Sequence, residues 1–137
     1  MMDELPLALR DGLIEEALAA MRNAYVPHIP FPVGAAVLGN NGQIYRGCNV
    51  QSVISGMGSC AERTALYNGI THGARFFSAV AVVSKADSHI SPCGMCRQCL
   101  YELAGPSAEM LVYLTSDQGR DPQLHTLTSL LPKAFRL

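Results

Sequence analysis

Two short segments combine the residue types that bind a metal ion and activate water. The segment CAE at 60–62 and the segment PCGMC at 92–96 each place cysteines where a predicted helix begins. Free backbone N–H groups and the helix dipole favour the thiolate form of a cysteine at such a position. Cys93 and Cys96 are one helical turn apart and share a face, which suits a tetrahedral metal. With Cys60 they supply three thiolates and leave a fourth position open, the layout of a catalytic zinc site.

Glu62 is the candidate proton carrier of this site. It stands two residues from Cys60, so it need not bind the metal, and it can move a proton from an activated water to a leaving amine. A structural alternative exists, because Ser59 and Glu62 form the S-x-x-E pattern of a helix capping box. Three thiolates around Zn²⁺ leave a net charge of about −1, which Arg63 or Arg97 could compensate.

Other uses of the cysteines stay open on the sequence alone. A Cys-x-x-Cys that follows a strand and opens a helix is also typical of a thiol redox motif. A purely structural zinc site needs a fourth ligand, and Cys48 or His89 could supply it. Cys99 lies about 9 Å along the helix from Cys93, too far for both to bind one zinc, so we expect Cys99 and Cys48 to pack in the core. Thiolate ligands favour zinc over magnesium or calcium, while iron remains possible.

The elements that position these residues alternate between helix and strand. Apolar residues at helical spacing predict a first helix, with one face formed by Leu13, Ile14, Ala17, Leu18 and Met21. Next, GAAVLG and QIYRGCNV flank the turn Asn40-Asn41-Gly42, a strong hairpin signal.

The second half of the chain repeats this alternation. A helix after Cys60 is predicted to end at Gly69, and another begins at Ser91-Pro92 with Pro92 in its first turn. The apolar runs FFSAVAVVS and EMLVYLTS are typical of strands buried on both faces. We therefore predict an α/β fold, a sheet that contains one antiparallel hairpin and is covered on both sides.

Composition sets the limits of the fold and of the function. The chain has 137 residues with 49% hydrophobic residues and a net charge of −1. This predicts a single domain over 1–137 and no long nucleic-acid partner, because no basic excess is present. No apolar run is long enough to span a membrane, and no signal peptide is evident at the N-terminus. Five cysteines in such a chain are expected as thiols or metal ligands in the cytoplasm.

Five segments together carry a resemblance to a known family. CAERTA and PCGMCRQ match the zinc-dependent nucleobase deaminase signature. FPVGAA at 31–36, GCNV at 47–50 and LLPKAF at 130–135 follow in compatible order, so the chain resembles the small cytidine deaminases that act on free nucleosides. The resemblance implies a three-layer helix–sheet–helix sandwich around a mixed five-stranded sheet.

The resemblance also implies roles for individual residues. It makes Glu62 the proton shuttle and implies one Zn²⁺ per subunit held by Cys60, Cys93 and Cys96. The supporting role of Arg63 rests instead on the charge of the site described above. Substrate contacts are implied for the Phe31 ring, the side chains of Asn49 and Gln51, the backbone N–H of Ala61, and Phe135 donated to a neighbouring subunit. A homotetramer with shared active sites is the expected assembly.

The sugar-contact segment departs from the family pattern. The usual Asn-Val-Glu-Asn is Asn49-Val50-Gln51-Ser52 here, and His28-Ile29 replaces the common Tyr-Ser. A carboxylate accepts a hydroxyl proton about twice as strongly as a neutral amide. We expect the change to cost substrate affinity about 1 kcal/mol without abolishing binding.

The predicted function is hydrolytic deamination of cytidine and 2′-deoxycytidine with release of ammonia. A deaminase for a modified cytosine nucleoside of the blasticidin S type is one alternative, because the sugar segment deviates. A polynucleotide-editing deaminase fits less well, since the short neutral chain shows no strand-binding groove. A non-enzymatic zinc-stabilised binding module is the alternative from a different class, and the pairing of Cys60 with Glu62 argues against it.

Overall fold

The computed structural model describes residues 3–85 and 89–137. The domain predicted over 1–137 also includes residues 1–2 and 86–88, which lie outside the described residues. The elements run in the order α1 (Leu7–Met21), β1 (Val33–Gly39), β2 (Ile44–Cys48), α2 (Ala61–Thr71), β3 (Phe77–Ser84), α3 (Gly94–Glu102), β4 (Leu111–Ser116), β5 (Gln123–Thr126) and α4 (Leu127–Leu130). No helix in these ranges is long and apolar enough to cross a membrane.

The five strands form one mixed sheet in the order β2-β1-β3-β4-β5. The predicted hairpin is confirmed, because β1 and β2 pair antiparallel with Leu38 opposite Ile44 and with Gly42 at φ 80° in the connecting turn. β3 pairs antiparallel with β1 and parallel with β4, and β5 returns antiparallel to β4. The parallel pair is joined through α3, the usual way to connect parallel strands.

Both faces of the sheet are buried under helices, since successive residues of a strand face opposite sides. One hydrophobic cluster joins α1 to the first face and includes Leu13, Ala17, Ala36, Ala81 and Tyr113. The other cluster joins α2, α3 and α4 to the opposite face and includes Ala65, Leu100, Leu127, Val80 and Val112. The predicted three-layer helix–sheet–helix sandwich around a mixed five-stranded sheet is confirmed.

A glycine sets how closely α2 lies on the sheet. A Cβ atom at Gly47 in β2 would stand 2.1 Å from the backbone nitrogen of Ala65 and 2.5 Å from the carbonyl oxygen of Ala61. Real Cβ atoms do not approach backbone atoms so closely, so any larger residue must push the helix away. Because Cys60 caps α2 and Glu62 belongs to its first turn, Gly47 fixes the depth at which they lie.

Two predicted helix boundaries are wrong. Gly69 does not end α2, which continues to Thr71, and Gly73 at φ 100° follows the helix end. Gly69 instead makes room for a ring, because a Cβ there would lie 2.6 Å from two ring carbons of Phe77. Pro92 is not in the first turn of α3, since Cys93 is the N-cap and the helix begins at Gly94.

The C-terminal elements β5 and α4 were missed by the sequence pattern. β5 has only four residues, and none of them is fully buried. α4 also has four residues, of which Leu127 is buried. Elements this short carry no hydrophobic period, so only their pairing with β4 and the second hydrophobic cluster defines them.

Candidate active site

Three cysteine sulfurs meet where α2 and α3 begin. The Sγ atoms of Cys60, Cys93 and Cys96 all lie within 4.8 Å of one another, and those of Cys60 and Cys93 are 3.9 Å apart. Sulfurs at about 2.3 Å from a tetrahedral zinc stand about 3.8 Å from each other. The donor set and its spacing therefore fit a zinc ion, as the sequence predicted.

The local backbone explains why these sulfurs converge. Cys60 and Cys93 are both N-cap residues in extended conformation, so each side chain stands in front of a helix that it does not enter. Cys93 Sγ accepts a hydrogen bond from the backbone N–H of Cys96 at 3.5 Å. Since the positive ends of two helix dipoles face the cluster, thiolate charge is stabilised there.

Arg63 supplies further positive charge, as expected from the sequence. Its Nη2 donates to Cys60 Sγ at 3.6 Å. The pKa of Cys60 is lowered to about 5, chiefly by a hydrogen bond from the Cys96 thiol and also by Arg63, although partial burial opposes this. The pKa of Cys96 is raised because this thiol holds the proton of the pair. A metal cation among the three sulfurs would take the place of that proton.

Glu62 is a buried carboxyl beside this cluster, with only 5% of its surface exposed. Burial raises the pKa of Glu62 to about 7, with a further increase from Cys60, while its own backbone N–H and Arg63 oppose the change. A carboxyl group with a pKa near neutrality can both accept and donate protons.

The capping-box alternative for Glu62 is wrong. The N-cap of α2 is Cys60 and not Ser59. The backbone N–H of Ser59, which a capping-box glutamate would accept, donates instead to the carbonyl oxygen of Val50 at 2.9 Å. The position of Glu62 therefore does not follow from a need to cap the helix.

A largely apolar cavity of about 240 Å³ opens next to the cluster. The structure places three of the predicted substrate contacts in its wall, namely Phe31, Asn49 and Ala61, together with Glu62, Cys60 and Cys93. Its remaining lining residues were not found by the sequence reasoning: Val33, Val82, Ile90 and Ser91. Val33 and Val82 read only as strand residues, and nothing in the pattern distinguishes them from the core.

The Asn49 side chain fixes the wall of this cavity. Its Oδ1 accepts from the backbone N–H of Val33 at 2.8 Å, and its Nδ2 donates to the carbonyl oxygen of Phe31 at 2.9 Å. One N–H of the amide remains for a ligand. Asn49 and Cys60 also line a second, adjoining cavity of about 380 Å³ that includes Gln51, His28 and Arg63.

The remaining predicted residues lie elsewhere. Phe135 is 68% exposed and stands beside α3, where the Nε2 of Gln98 donates to its carbonyl oxygen at 3.1 Å. Among the described residues, the Arg97 guanidinium donates not to the cysteine sulfurs but to the carbonyl oxygens of Pro92 and Leu130 and to Ser91 Oγ. Arg97 thus holds the loop that carries Cys93, a role the sequence did not indicate.

The other cysteines and His89 lie outside the cluster formed by the described residues. Cys99 packs against the second hydrophobic cluster and its thiol lies 3.8 Å from the Tyr67 hydroxyl. Cys48 is half-buried, and His89 donates from Nε2 to the carbonyl oxygen of Asp121 at 3.0 Å. Within the described ranges, neither Cys48 nor His89 therefore completes a four-ligand structural site.

Known proteins agree with this geometry. The family model of the cytidine and deoxycytidylate deaminase zinc-binding region matches residues 9–113. The chain belongs to the cytidine and deoxycytidylate deaminase family. The resemblance stated from the five motifs is therefore confirmed, and so is a zinc-binding region that includes the Cys60, Cys93 and Cys96 cluster.

Individual deaminases of the family are similar over most of the chain. The cytidine deaminase of Sporosarcina psychrophila is 46% identical over 91% of this chain and 90% of its own length. The cytidine deaminase of Halalkalibacterium halodurans is 44% identical over 92% and 93%. The crystal structure of cytidine deaminase from Burkholderia pseudomallei superposes with a TM-score of 0.83 at 44% identity, covering 90% of this chain and 97% of that one. Each of these three relatives is named a cytidine deaminase, and none of the three is named for blasticidin S.

Proposed function

We propose that this deaminase hydrolyses cytidine and 2′-deoxycytidine to uridine and 2′-deoxyuridine with release of ammonia. The observation that carries the proposal is the buried Glu62 carboxyl, which lies beside a cluster of three cysteines and in the wall of an apolar cavity. Relatives at 46% and 44% identity are named cytidine deaminases. Thiolate ligands depend on a reducing compartment, so the reaction is proposed to run in the cytoplasm.

The proposed chemistry exchanges an amino group for an oxygen at C4 of the pyrimidine. A zinc ion held by Cys60, Cys93 and Cys96 would supply activated water at neutral pH. Glu62 takes the proton of that water and delivers it to N3 of the ring. Glu62 then carries the second water proton to the amino group, which leaves as ammonia, so that one water is consumed for each ammonia released.

The cavity walls orient the ring for this exchange. The Phe31 ring provides an apolar surface for one face of the pyrimidine. Ala61 is the first residue of α2. Backbone N–H groups in the first turn of a helix have no partner within the helix, so the N–H of Ala61 can donate to the carbonyl oxygen of the base. Asn49 holds Phe31 and Val33 in place by its two backbone hydrogen bonds.

The first test measures ammonia release from cytidine by the zinc-loaded protein and by Glu62→Gln and Glu62→Ala. Loss of the proton carrier is expected to lower kcat by at least about 100-fold, while zinc stays at one equivalent per chain. Glu102→Gln on the exposed end of α3 is the matched control and should retain normal turnover. Normal turnover by Glu62→Ala would contradict the assigned role.

The proposed assembly is a homotetramer in which Phe135 reaches the site of a neighbouring copy. The exposure of Phe135 and its absence from the lining of the 240 Å³ cavity among the described residues support the proposal. The test mixes the inactive variants Glu62→Ala and Phe135→Ala after unfolding and refolding together. If sites are shared, mixed assemblies regain part of the activity because some sites combine an intact Glu62 with an intact Phe135. Mixtures that stay inactive would exclude shared sites.

A further inference from the structure

Gln51 is held by three hydrogen bonds to the backbone of one neighbouring segment. Its Oε1 accepts from the N–H of His28 at 3.0 Å and from the N–H of Ile29 at 3.1 Å. Its Nε2 donates to the carbonyl oxygen of Ile29 at 2.8 Å. These partners define which end of the amide is oxygen, because a flipped amide would place its NH₂ against two donors and its oxygen against a carbonyl.

The bonds leave Gln51 with one kind of free group. An amide oxygen has two lone pairs, and both are used by His28 and Ile29. The NH₂ has two hydrogens, of which one is used. Counting the bonds to residues that the structure describes, Gln51 therefore has a single N–H donor left and no acceptor.

This donor lies where a nucleoside sugar would extend. Gln51 lines the cavity of about 380 Å³ that adjoins the metal cluster, and Asn49 and Cys60 line both this cavity and the smaller one beside Glu62. When the pyrimidine occupies the smaller cavity, as the proposed function requires, the larger cavity is the adjoining space left for its sugar. His28, Ile29 and Gln51 all line the larger cavity.

We propose that Gln51 acts only as a hydrogen-bond donor to one sugar oxygen, and that the site therefore accepts nucleosides in which this oxygen carries no proton. Ethers and esters at that position keep the acceptor that Gln51 needs. This inference rests on the proposed function, because it takes the ligand to be a cytosine nucleoside.

A glutamate in place of Gln51 would have the opposite character. Its carboxylate accepts the N–H groups of His28 and Ile29 equally well but cannot donate to the carbonyl oxygen of Ile29. Two acceptor oxygens would then stand at about hydrogen-bond distance from each other. Since a carboxylate is acceptor-only, it selects a sugar hydroxyl that donates. The segment around residue 28 in this chain is thus matched to an amide.

The experiment measures Kd by titration calorimetry on the zinc-loaded Glu62→Gln protein, which binds substrate without consuming it. The probes are cytidine and the analogues in which the 2′, 3′ or 5′ oxygen is either removed or methylated. At one position we expect removal of the oxygen to weaken binding about five-fold, the size of one neutral hydrogen bond. Methylation at that position should be tolerated much better than removal.

Two further variants separate the effect of the Gln51 hydrogen bond from the effect of side-chain size. In Gln51→Met, which has similar size but no N–H, removal of that oxygen should no longer affect Kd. In Gln51→Glu, methylation should weaken binding as much as removal does. For each variant, the Kd of an analogue is divided by the Kd of cytidine. This ratio cancels any change in affinity that a displaced loop causes for all ligands alike. Gln118→Met, on the separate groove beside α1, is the matched control and should behave as the parent protein.

Two results would overturn the inference. The first concerns the sugar positions at which Gln51→Met changes the Kd ratios. If methylation of the oxygen weakens binding to the parent protein as much as its removal does at all of these positions, the inference is wrong. The other is a set of ratios that Gln51→Met leaves unchanged. The proposed function is judged separately, by ammonia release from cytidine by the protein with intact Glu62. Turnover without the Kd pattern contradicts only the inference, and the Kd pattern without turnover contradicts only the proposed function.

Discussion

Charge around the cysteine cluster is concentrated in a few contacts. Cys60 receives a hydrogen bond from the guanidinium of Arg63, and the helix N-termini of α2 and α3 face the same point. A divalent cation with three thiolates is left with a net charge of about −1. Arg63 therefore balances the charge of the loaded site and also holds one of its ligands.

Replacing Arg63 by Gln is expected to weaken zinc binding by about 10- to 100-fold, because the group that orients and neutralises a ligand is lost. Competition against a calibrated zinc chelator measures this change. Arg75→Gln is the control, since Arg75 donates to the carbonyl oxygens of Ile70 and Ala74, away from the cluster. Equal zinc affinity in Arg63→Gln and the parent would show that Arg63 does not support the ligand.

Asn49 links two backbone groups that build the base cavity. Substitution by Ala leaves the N–H of Val33 and the carbonyl oxygen of Phe31 without their partners. We expect unfolding to become easier by about 1–3 kcal/mol and kcat/KM for cytidine to fall. In Asn49→Asp the carboxylate can still accept from the N–H of Val33, but its second oxygen would stand against the carbonyl oxygen of Phe31. Denaturant unfolding and steady-state kinetics measure both variants, and an Asn49→Ala protein with the stability and kcat/KM of the parent would contradict the expectation.

At the scale of elements, the depth of α2 depends on the absence of a side chain at Gly47. Gly47→Ala is expected to destabilise the fold by about 1–3 kcal/mol and to lower turnover, because α2 carries Cys60 and Glu62. Gly12→Ala in α1 is the matched control, since a Cβ there meets nothing within 4 Å. Removal of a helical glycine should stabilise by about 0.5–1 kcal/mol. If Gly47→Ala has the same Tm as the parent in thermal unfolding, α2 does not lie as close to Gly47 as described.

The short helix α4 is anchored by Glu109. Burial alone would raise the pKa of Glu109, but hydrogen bonds from the Thr128 hydroxyl and from backbone N–H groups of Thr128, Met110 and Leu127 together lower it. A lowered pKa in the folded state means that the ionised group stabilises the fold above its ordinary pKa of about 4.5. This contribution is lost as pH falls through the lowered value.

Glu109→Gln should therefore have a lower Tm than the parent at pH 7, and the difference should shrink as the pH falls below about 4.5. Thermal unfolding over a pH series measures both proteins, and metal loss at acid pH affects them equally. A difference that is constant from pH 7 to pH 3 would show that the carboxylate charge is not responsible.

Long elements and chemical motifs could be predicted from the sequence, while short elements and exact contacts could not. α1, the hairpin and β3 follow from periodicity and turn residues, and the cysteine cluster follows from two motifs. Gly69 misled the prediction because a glycine that admits a ring and a glycine that ends a helix look alike in sequence. The bonds of Gln51 and Arg97 depend on distant backbone atoms, which no local pattern encodes.

At the scale of the whole molecule, the metal would join the starts of two helices, α2 and α3, that lie on the same face of the sheet but are separate along the chain. Cys60 caps α2, Cys93 caps α3, Cys96 lies in the first turn of α3, and β3 lies between the two helices along the chain. A ligand that binds only the folded state raises its stability. Zinc removal should therefore affect the fold as well as the activity.

Chelation of zinc is expected to lower the Tm of the parent protein, and added zinc should restore it. Cys93→Ala should show no such dependence, because it loses a ligand and with it the metal. Calorimetric unfolding with and without chelator makes the comparison. A parent Tm that does not respond to the chelator would indicate that the cluster holds no metal or that the fold is independent of it.

The spacing of the three ligands has a consequence for how the chain folds. Cys93 and Cys96 are neighbours on one helical turn, but Cys60 and Cys93 are 33 residues apart in sequence. Bringing the distant pair together costs loop-closure entropy, which grows slowly with loop length. The nearby pair is available to an ion early, whereas the third ligand arrives only after β3 has joined the sheet. Complete metal capture should therefore report on late tertiary assembly, and its rate should follow the formation of long-range strand contacts.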